Sequence, residues 1–162
     1  MKNQLRYLIL FFVVAMSLAP VEGLQTSSSE KPGLELTMVA VRDQVKVGSP
    51  VVVSIITKNI SSQPVGNGHC RATIYNYGFV VKDSLRNPAA ETEELRTINW
   101  LRKEGEWCRS LTGLHPLKPG ETAEQAIDIA EYYDLSRSGQ YTIQAQRGPL
   151  LKTNVVTVTV LP

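Results

Sequence analysis

After residue 33 the chain alternates between apolar and polar positions in short runs, each closed by a turn. Leu34, Leu36, Met38 and Ala40 stand on one parity, with Glu35 and Thr37 on the other. Tyr141, Ile143 and Ala145 oppose Thr142, Gln144 and Gln146, and residues 156–160 read Val-Thr-Val-Thr-Val. A period of two puts successive side chains on opposite faces of an extended chain, so these runs predict strands with one wet face. Residues 51–59 begin as a β-branched run that is apolar on both parities, as in a central strand covered on two sides. A long strand is predicted over 72–83, where Tyr75, Tyr77 and Phe79 share one face as core or sheet surface. Another is predicted over 123–129, with Ala123, Ile127 and Ile129 opposing Glu124 and Asp128. Gly48-Ser49-Pro50, Gly66-Asn67-Gly68, residues 83–88, Pro119-Gly120 and Gly148-Pro149 supply turns. Together these runs predict an all-β, antiparallel sandwich of about seven strands with no strong helix.

The stretch 132–143 refines that fold class. Asp134 and Ser136 can bond nearby backbone groups, and Gly139 can take a positive φ. Tyr141 then stands two residues beyond the turn glycine at the entry to a strand, as in the tyrosine corner of immunoglobulin-like sandwiches. Asp134, Gly139 and Tyr141 are therefore expected to be architectural, within an immunoglobulin-like domain spanning residues 34–162. Residues 88–112 break the rhythm and read as an irregular insertion that the corner does not explain. Asn87-Pro88 is a possible helix start, with Glu91, Glu93 and Glu94 near the first turn as a solvated acidic face. Leu95, Ile98 and Leu101 lie three apart, so a short helix and an irregular loop both fit. The insertion also holds Trp100 and Trp107, the only two tryptophans in the chain.

At the N-terminus, Lys2 and Arg6 precede an uncharged apolar run over residues 7–19. That is the pattern of a secretory signal, and the run is shorter than the about 20 residues a membrane span needs. Residues 1–23 are read as the signal peptide and the Ser-rich residues 24–33 as a mobile leader. The expected location is outside the cytoplasm, periplasmic or extracellular, with no stable membrane insertion after cleavage. Formal charge is only +2 for the whole chain, and both signs are mixed along it. Nothing in that balance favours nucleic acid or an anionic membrane as a partner. The two cysteines, Cys70 and Cys108, are an even count in an exported chain, which favours one disulfide. Such a bond would tie the insertion to the sheet and stabilise by about 2–4 kcal/mol.

Several elements carry a family resemblance across nearly all of residues 34–162. They include Val45-Lys46-Val47-Gly48-Ser49-Pro50-Val51, Leu117-Lys118-Pro119-Gly120-Glu121-Thr122, Tyr133-Asp134-Leu135-Ser136 with Gly139-Gln140-Tyr141, and Asn154-Val155-Val156-Thr157. In these the chain resembles a group of exported bacterial immunoglobulin-like domains. More loosely it is similar to BsuPI-type proteinase inhibitors and to the N-terminal sandwich of some secreted metalloproteases. The resemblance implies fold and export; it carries no functional residue, and no His-Glu-x-x-His occurs in the chain.

Candidate chemistry is thin. The chain has two histidines, His69 and His115, and no Gly-x-Ser-x-Gly elbow, so no catalytic residue is assigned and no enzyme is expected. His69, Cys70, Cys108 and His115 form a soft donor set suited to copper or zinc. Their spacing matches no finger or knuckle, and adjacent residues in a strand point apart, so a disulfide with bystander histidines is preferred and no cofactor is assigned. That leaves binding. Trp100 and Trp107 are the candidate contact residues for a protein or cell-surface partner, with secreted proteinase inhibition as the alternative role.

Overall fold

The alternating runs become two facing sheets in the computed structural model, which describes residues 33–70, 73–105, 111–112 and 115–162. In chain order the first strands are β1 (Leu34–Ala40), β2 (Gln44–Lys46), β3 (Val52–Asn59), β4 (His69–Cys70) and β5 (Gly78–Asp83). A helix, α1 (Glu93–Lys103), follows, and then β6 (Leu111–Thr112), β7 (Thr122–Asp128), β8 (Gly139–Arg147), β9 (Leu151–Lys152) and β10 (Val156–Leu161). Three strands make one sheet in the order β1-β3-β7. Five make the other, β2-β10-β8-β5 with β9 added beside β8, and β4 pairs only with β6 in a short ribbon. The signal peptide and almost all of the leader expected over residues 1–33 lie outside the described residues.

Register follows the apolar pattern. Leu36, Met38 and Ala40 lie opposite Thr57, Ile55 and Val53 of β3, which in turn face Ala123, Gln125 and Ile127 of β7. In the second sheet Val158 lies beside Tyr141, and Val156 and Val81 both lie beside Ile143. These inward rows join one buried cluster, in which Val53, Ile55, Ile129, Ile143, Ala145 and Val158 have no exposed surface. A slip of one residue in any pair would turn the buried set outward, so the core itself fixes the pairing. The strand over 51–59 is central, as its composition predicts, although Val52 and Ile56 on its outer face stay partly exposed.

Two sequence expectations need correction. The first concerns residues 72–83, where only Gly78–Asp83 is strand and Thr73–Asn76 is a 3-10 turn. The Asn76 amide accepts from Cys70 N at 2.6 Å and donates to Cys70 O at 3.1 Å, so a side chain takes the place of a strand neighbour. The aromatic face is split as a result: Tyr77 is buried with its hydroxyl donating to Gln125 Oε1 at 3.1 Å, while Tyr75 and Phe79 are only partly covered. The second concerns strand direction, because β2 runs parallel to β10. Residues 41–43 carry the chain from one sheet to the other without a hairpin, so it keeps its direction on arrival. Of the two readings left open for the insertion, residues Glu93–Lys103 take the short helix, α1.

Three side chains hold the frame where backbone pairing stops. Tyr141 donates its hydroxyl to Arg137 O at 2.9 Å, beside an Asp134 whose carboxylate accepts from Ser136 N at 3.0 Å. Gly139 opens β8 with φ 151°, a backbone angle that side chains resist. Asn154 bridges the sheets, accepting from Met38 N at 2.8 Å and donating to Met38 O at 2.9 Å. Asn59 is fully buried and donates to Gln63 O at 2.8 Å and Leu117 O at 2.7 Å, sealing two turns against the end of β3.

Loss of these bonds sets the first expectation. Tyr141→Phe should lower the unfolding free energy by about 1 kcal/mol, and Asn59→Ala, which strands buried carbonyls, by about 2–3 kcal/mol. Urea denaturation of the three proteins checks both, and coincident midpoints would refute the assignment. Asn59 also heads an Asn-x-Ser sequon, but its amide has no free surface, so protein folded in a eukaryotic secretory host should keep its mass after deglycosylation.

Candidate functional site

The segment that breaks the strand rhythm is built outward from the end of β5. Asp83 is a turn former, and its carboxylate accepts from Leu85 N at 2.9 Å, Asn87 N at 2.8 Å and Asn87 Nδ2 at 3.2 Å. Asp83 N donates to Asn87 O and Arg86 N to Asp83 O, both at 2.9 Å, closing a tight hairpin. Arg86 completes the turn with φ 65°, alone among the described non-glycine residues in the left-handed region. That conformation costs an L-residue about 1–2 kcal/mol, and glycine or asparagine is the usual occupant. Partial desolvation acts to raise the Asp83 pKa, but the bonds from Asn87 and Leu85 outweigh it and hold the carboxyl below its ordinary value.

The chain then returns along β5, with Ala89 N donating to Val81 O at 2.9 Å. Next it docks on the corner: Asp134 N donates to Ala90 O at 2.8 Å, and Thr92 N donates to Tyr132 O at 3.0 Å. The insertion and the corner are therefore one pairing unit, contrary to the sequence expectation that the corner leaves this segment unexplained. Tyr133, held between them, donates its hydroxyl to Phe79 O at 2.9 Å.

Thr92 is also the N-cap of α1. Its hydroxyl accepts from Leu95 N at 3.4 Å and donates to Glu131 O at 3.0 Å. Glu93 and Glu94 in the first turn and Arg102 and Lys103 in the last match the helix dipole. Leu95 and Ile98 are buried, and Arg102 turns inward beside them. Its guanidinium donates to Ile74 O, to Tyr77 O at 3.0 Å and to Asn99 Oδ1 at 3.1 Å, pinning the helix to the 3-10 turn. Burial lowers its pKa, with the nearby tyrosines and Glu91 acting in opposition. The outer face carries Glu93, Arg96, Thr97 and Trp100, which border a shallow groove of about 490 Å³. Trp100 leaves 59% of its surface in solvent.

Other concavities are open and mixed in character. One of about 480 Å³ lies between the β2–β3 turn and the corner, with Pro50, Asp128, Glu131 and Leu135 in its walls. Its Asp128 carboxylate is already engaged by Val51 N at 2.8 Å and Ala130 N at 3.0 Å, which marks it as structural. Another, of about 470 Å³, has Val80, Lys82, Arg86, Thr142 and Gln144 in its walls.

The remaining sequence candidates are scattered. Trp107 and Cys108 lie outside the described residues. Cys70 is buried and its backbone is bracketed by Asn76, so its expected disulfide to Cys108 falls partly outside the description. His69 is described only by its backbone, paired with Thr112, and His115 is exposed in a loop. Among the described residues no three His, Cys, Asp or Glu side chains gather as a metal site, and no helix is long and apolar enough to cross a membrane. Sequence reasoning missed Leu85 and Arg86; the Asp83–Asn87 spacing signals a turn, but nothing in the letters shows which side chain the turn lifts into solvent.

No family model matches the chain. Among curated proteins it is similar to the neutral protease 2 homolog of Arthroderma gypseum, 30% identical over 128 residues that cover 69% of this chain and 33% of that protein. A probable neutral protease 2 homolog of Arthroderma otae gives 30% identity over 128 residues, 69% of this chain and 34% of its own length. The Trichophyton verrucosum counterpart is 29% identical over 128 residues, with 69% and 33% covered. The chain thus spans about a third of the length of the curated relatives it matches.

Two expectations separate the anchoring face of this unit from its outer face. Arg102→Leu should cost about 2–3 kcal/mol by leaving buried carbonyls unpaired, whereas Trp100→Ala should stay within about 0.5 kcal/mol. Thermal and urea unfolding decide this; equal effects would mean that Trp100 is part of the core. Burial, reinforced by acidic neighbours, pushes the Tyr132 and Tyr133 hydroxyls up to about 12. The unfolded chain loses those protons near pH 10, so it binds fewer protons than the folded chain above that value. Stability should therefore be intact below pH 10 and fall between pH 10 and 12, with a shallower fall in Tyr133→Phe. Denaturation midpoints across that range test the slope.

Proposed function

We propose that this chain is an exported, non-catalytic immunoglobulin-like domain that acts by binding protein, and that its partner is a protease. The observation that carries the reading is Trp100, a large aromatic left outside on a helix anchored by a cap, two buried apolar residues and the inward Arg102. A rigid element bearing an exposed tryptophan loses little conformational freedom on binding and supplies the residue type that dominates interface hot spots. The fold supports the first half of the reading. Strands β1-β3-β7 face β10-β8-β5, and a tyrosine corner opens β8, an arrangement shared with immunoglobulin-like sandwiches. The expected Cys70–Cys108 bond would brace the far end of the insertion and belongs to the same proposal.

Similarity to part of several neutral protease 2 homologs favours a protease as the partner and inhibition as the form the binding takes. A domain matching a third of such proteins, with neither a His-Glu-x-x-His motif nor a nucleophile elbow of its own, fits a role beside a catalytic domain. The purified protein should slow a neutral protease at near-equimolar dose, and Trp100→Ala should weaken that effect about tenfold or more. Unchanged proteolysis together with no detectable complex would overturn the proposal.

A further inference from the structure

Resting on the reading of this domain as a protease-binding module, we propose that the hairpin of residues 83–87 is a second, preformed contact. It seats Leu85 in an apolar recess rimmed by acidic groups on the protease. Leu85 is 79% exposed, the largest fraction among the described large apolar side chains. It stands on a loop whose shape is fixed by Asp83 through bonds to Leu85 N, Asn87 N and Asn87 Nδ2. A tip that only reverses the chain would carry polar residues. An apolar side chain held rigidly in water instead has the form of an interface anchor, because little freedom remains to be lost when it docks.

Arg86 adds an independent observation. It holds a backbone angle of φ 65° that glycine would take without strain, so the fold tolerates a conformational penalty to keep a guanidinium at this position. Arg86 and Lys82 border the groove beside the hairpin, together with Val80 and Val155, and Val80 and Val155 are about half exposed. Neither cationic head has an ion-pair or hydrogen-bond partner among the described residues. An apolar tip flanked by two unpaired cations is complementary to an apolar recess with carboxylates at its edge, and charge of that kind acts on encounter rate and register.

The test titrates the intact protein into the purified Arthroderma gypseum neutral protease by calorimetry at low and high salt. Leu85→Ser should bind at least tenfold more weakly, with an unchanged thermal midpoint because the side chain touches solvent. Arg86→Gly should move two properties in opposite directions: the thermal midpoint rises as the turn relaxes, while binding weakens several-fold and loses part of its salt dependence. If the wild type binds and both variants bind as it does, the hairpin proposal is overturned and the protease reading stands. If the wild type itself fails to bind, the protease reading falls and the hairpin proposal falls with it.

Discussion

The backbone pairing of residues 90–92 with 132–134 is the constraint from which the distinctive parts of this domain hang. It is short, and it lies outside the two main sheets, yet it fixes three things at once. It starts α1 by setting Thr92 as a cap against Glu131. It holds the returning chain against β5, so that this edge of the larger sheet is covered. It also traps Tyr133, whose hydroxyl ties the pairing to Phe79 in β5. The helix and the hairpin are thus presented by the sandwich with little slack, although neither belongs to a sheet.

This arrangement divides labour between the two ends of each side chain set. On α1, Leu95, Ile98 and Arg102 face the body and make the helix immobile, while Trp100 faces water. On the hairpin, Asp83 and Asn87 use their polar groups on the loop itself, leaving Leu85 and Arg86 outside. In both places the inward residues are fully engaged and the outward ones have nothing to do within the fold. Protein recognition is the reading that gives those outward residues a use.

Much of the frame was legible as period two. Strands β1, β8 and β10 alternate in burial as their letters do, because each has one face on the core and one in solvent. Failures came where a polar side chain does the work of backbone. Asn76 falls inside the strand predicted over 72–83, but its amide bonds both backbone groups of Cys70 and folds the chain over. Arg102 carries no signal in the sequence and points in, satisfied by two carbonyls that belong to distant sequence. The hairpin was legible as a turn from Asp83 and Asn87, whereas the positive φ at Arg86 has no signature, since arginine has no preference for it. Composition reports what a residue tends to do, and each of these residues is doing something else.

Asn154 has a consequence beyond holding two sheets together. Its amide occupies both the donor and the acceptor of Met38 on the outer rim of β1. A β-rim of this kind is where one molecule can template another, since a strand from a second chain needs an unbroken row of such groups to zip along. With the middle of that row already taken, an incoming strand would have to bulge around Met38 or stop there. A single carboxamide therefore also interrupts the edge of β1 as a template for a strand of a second molecule.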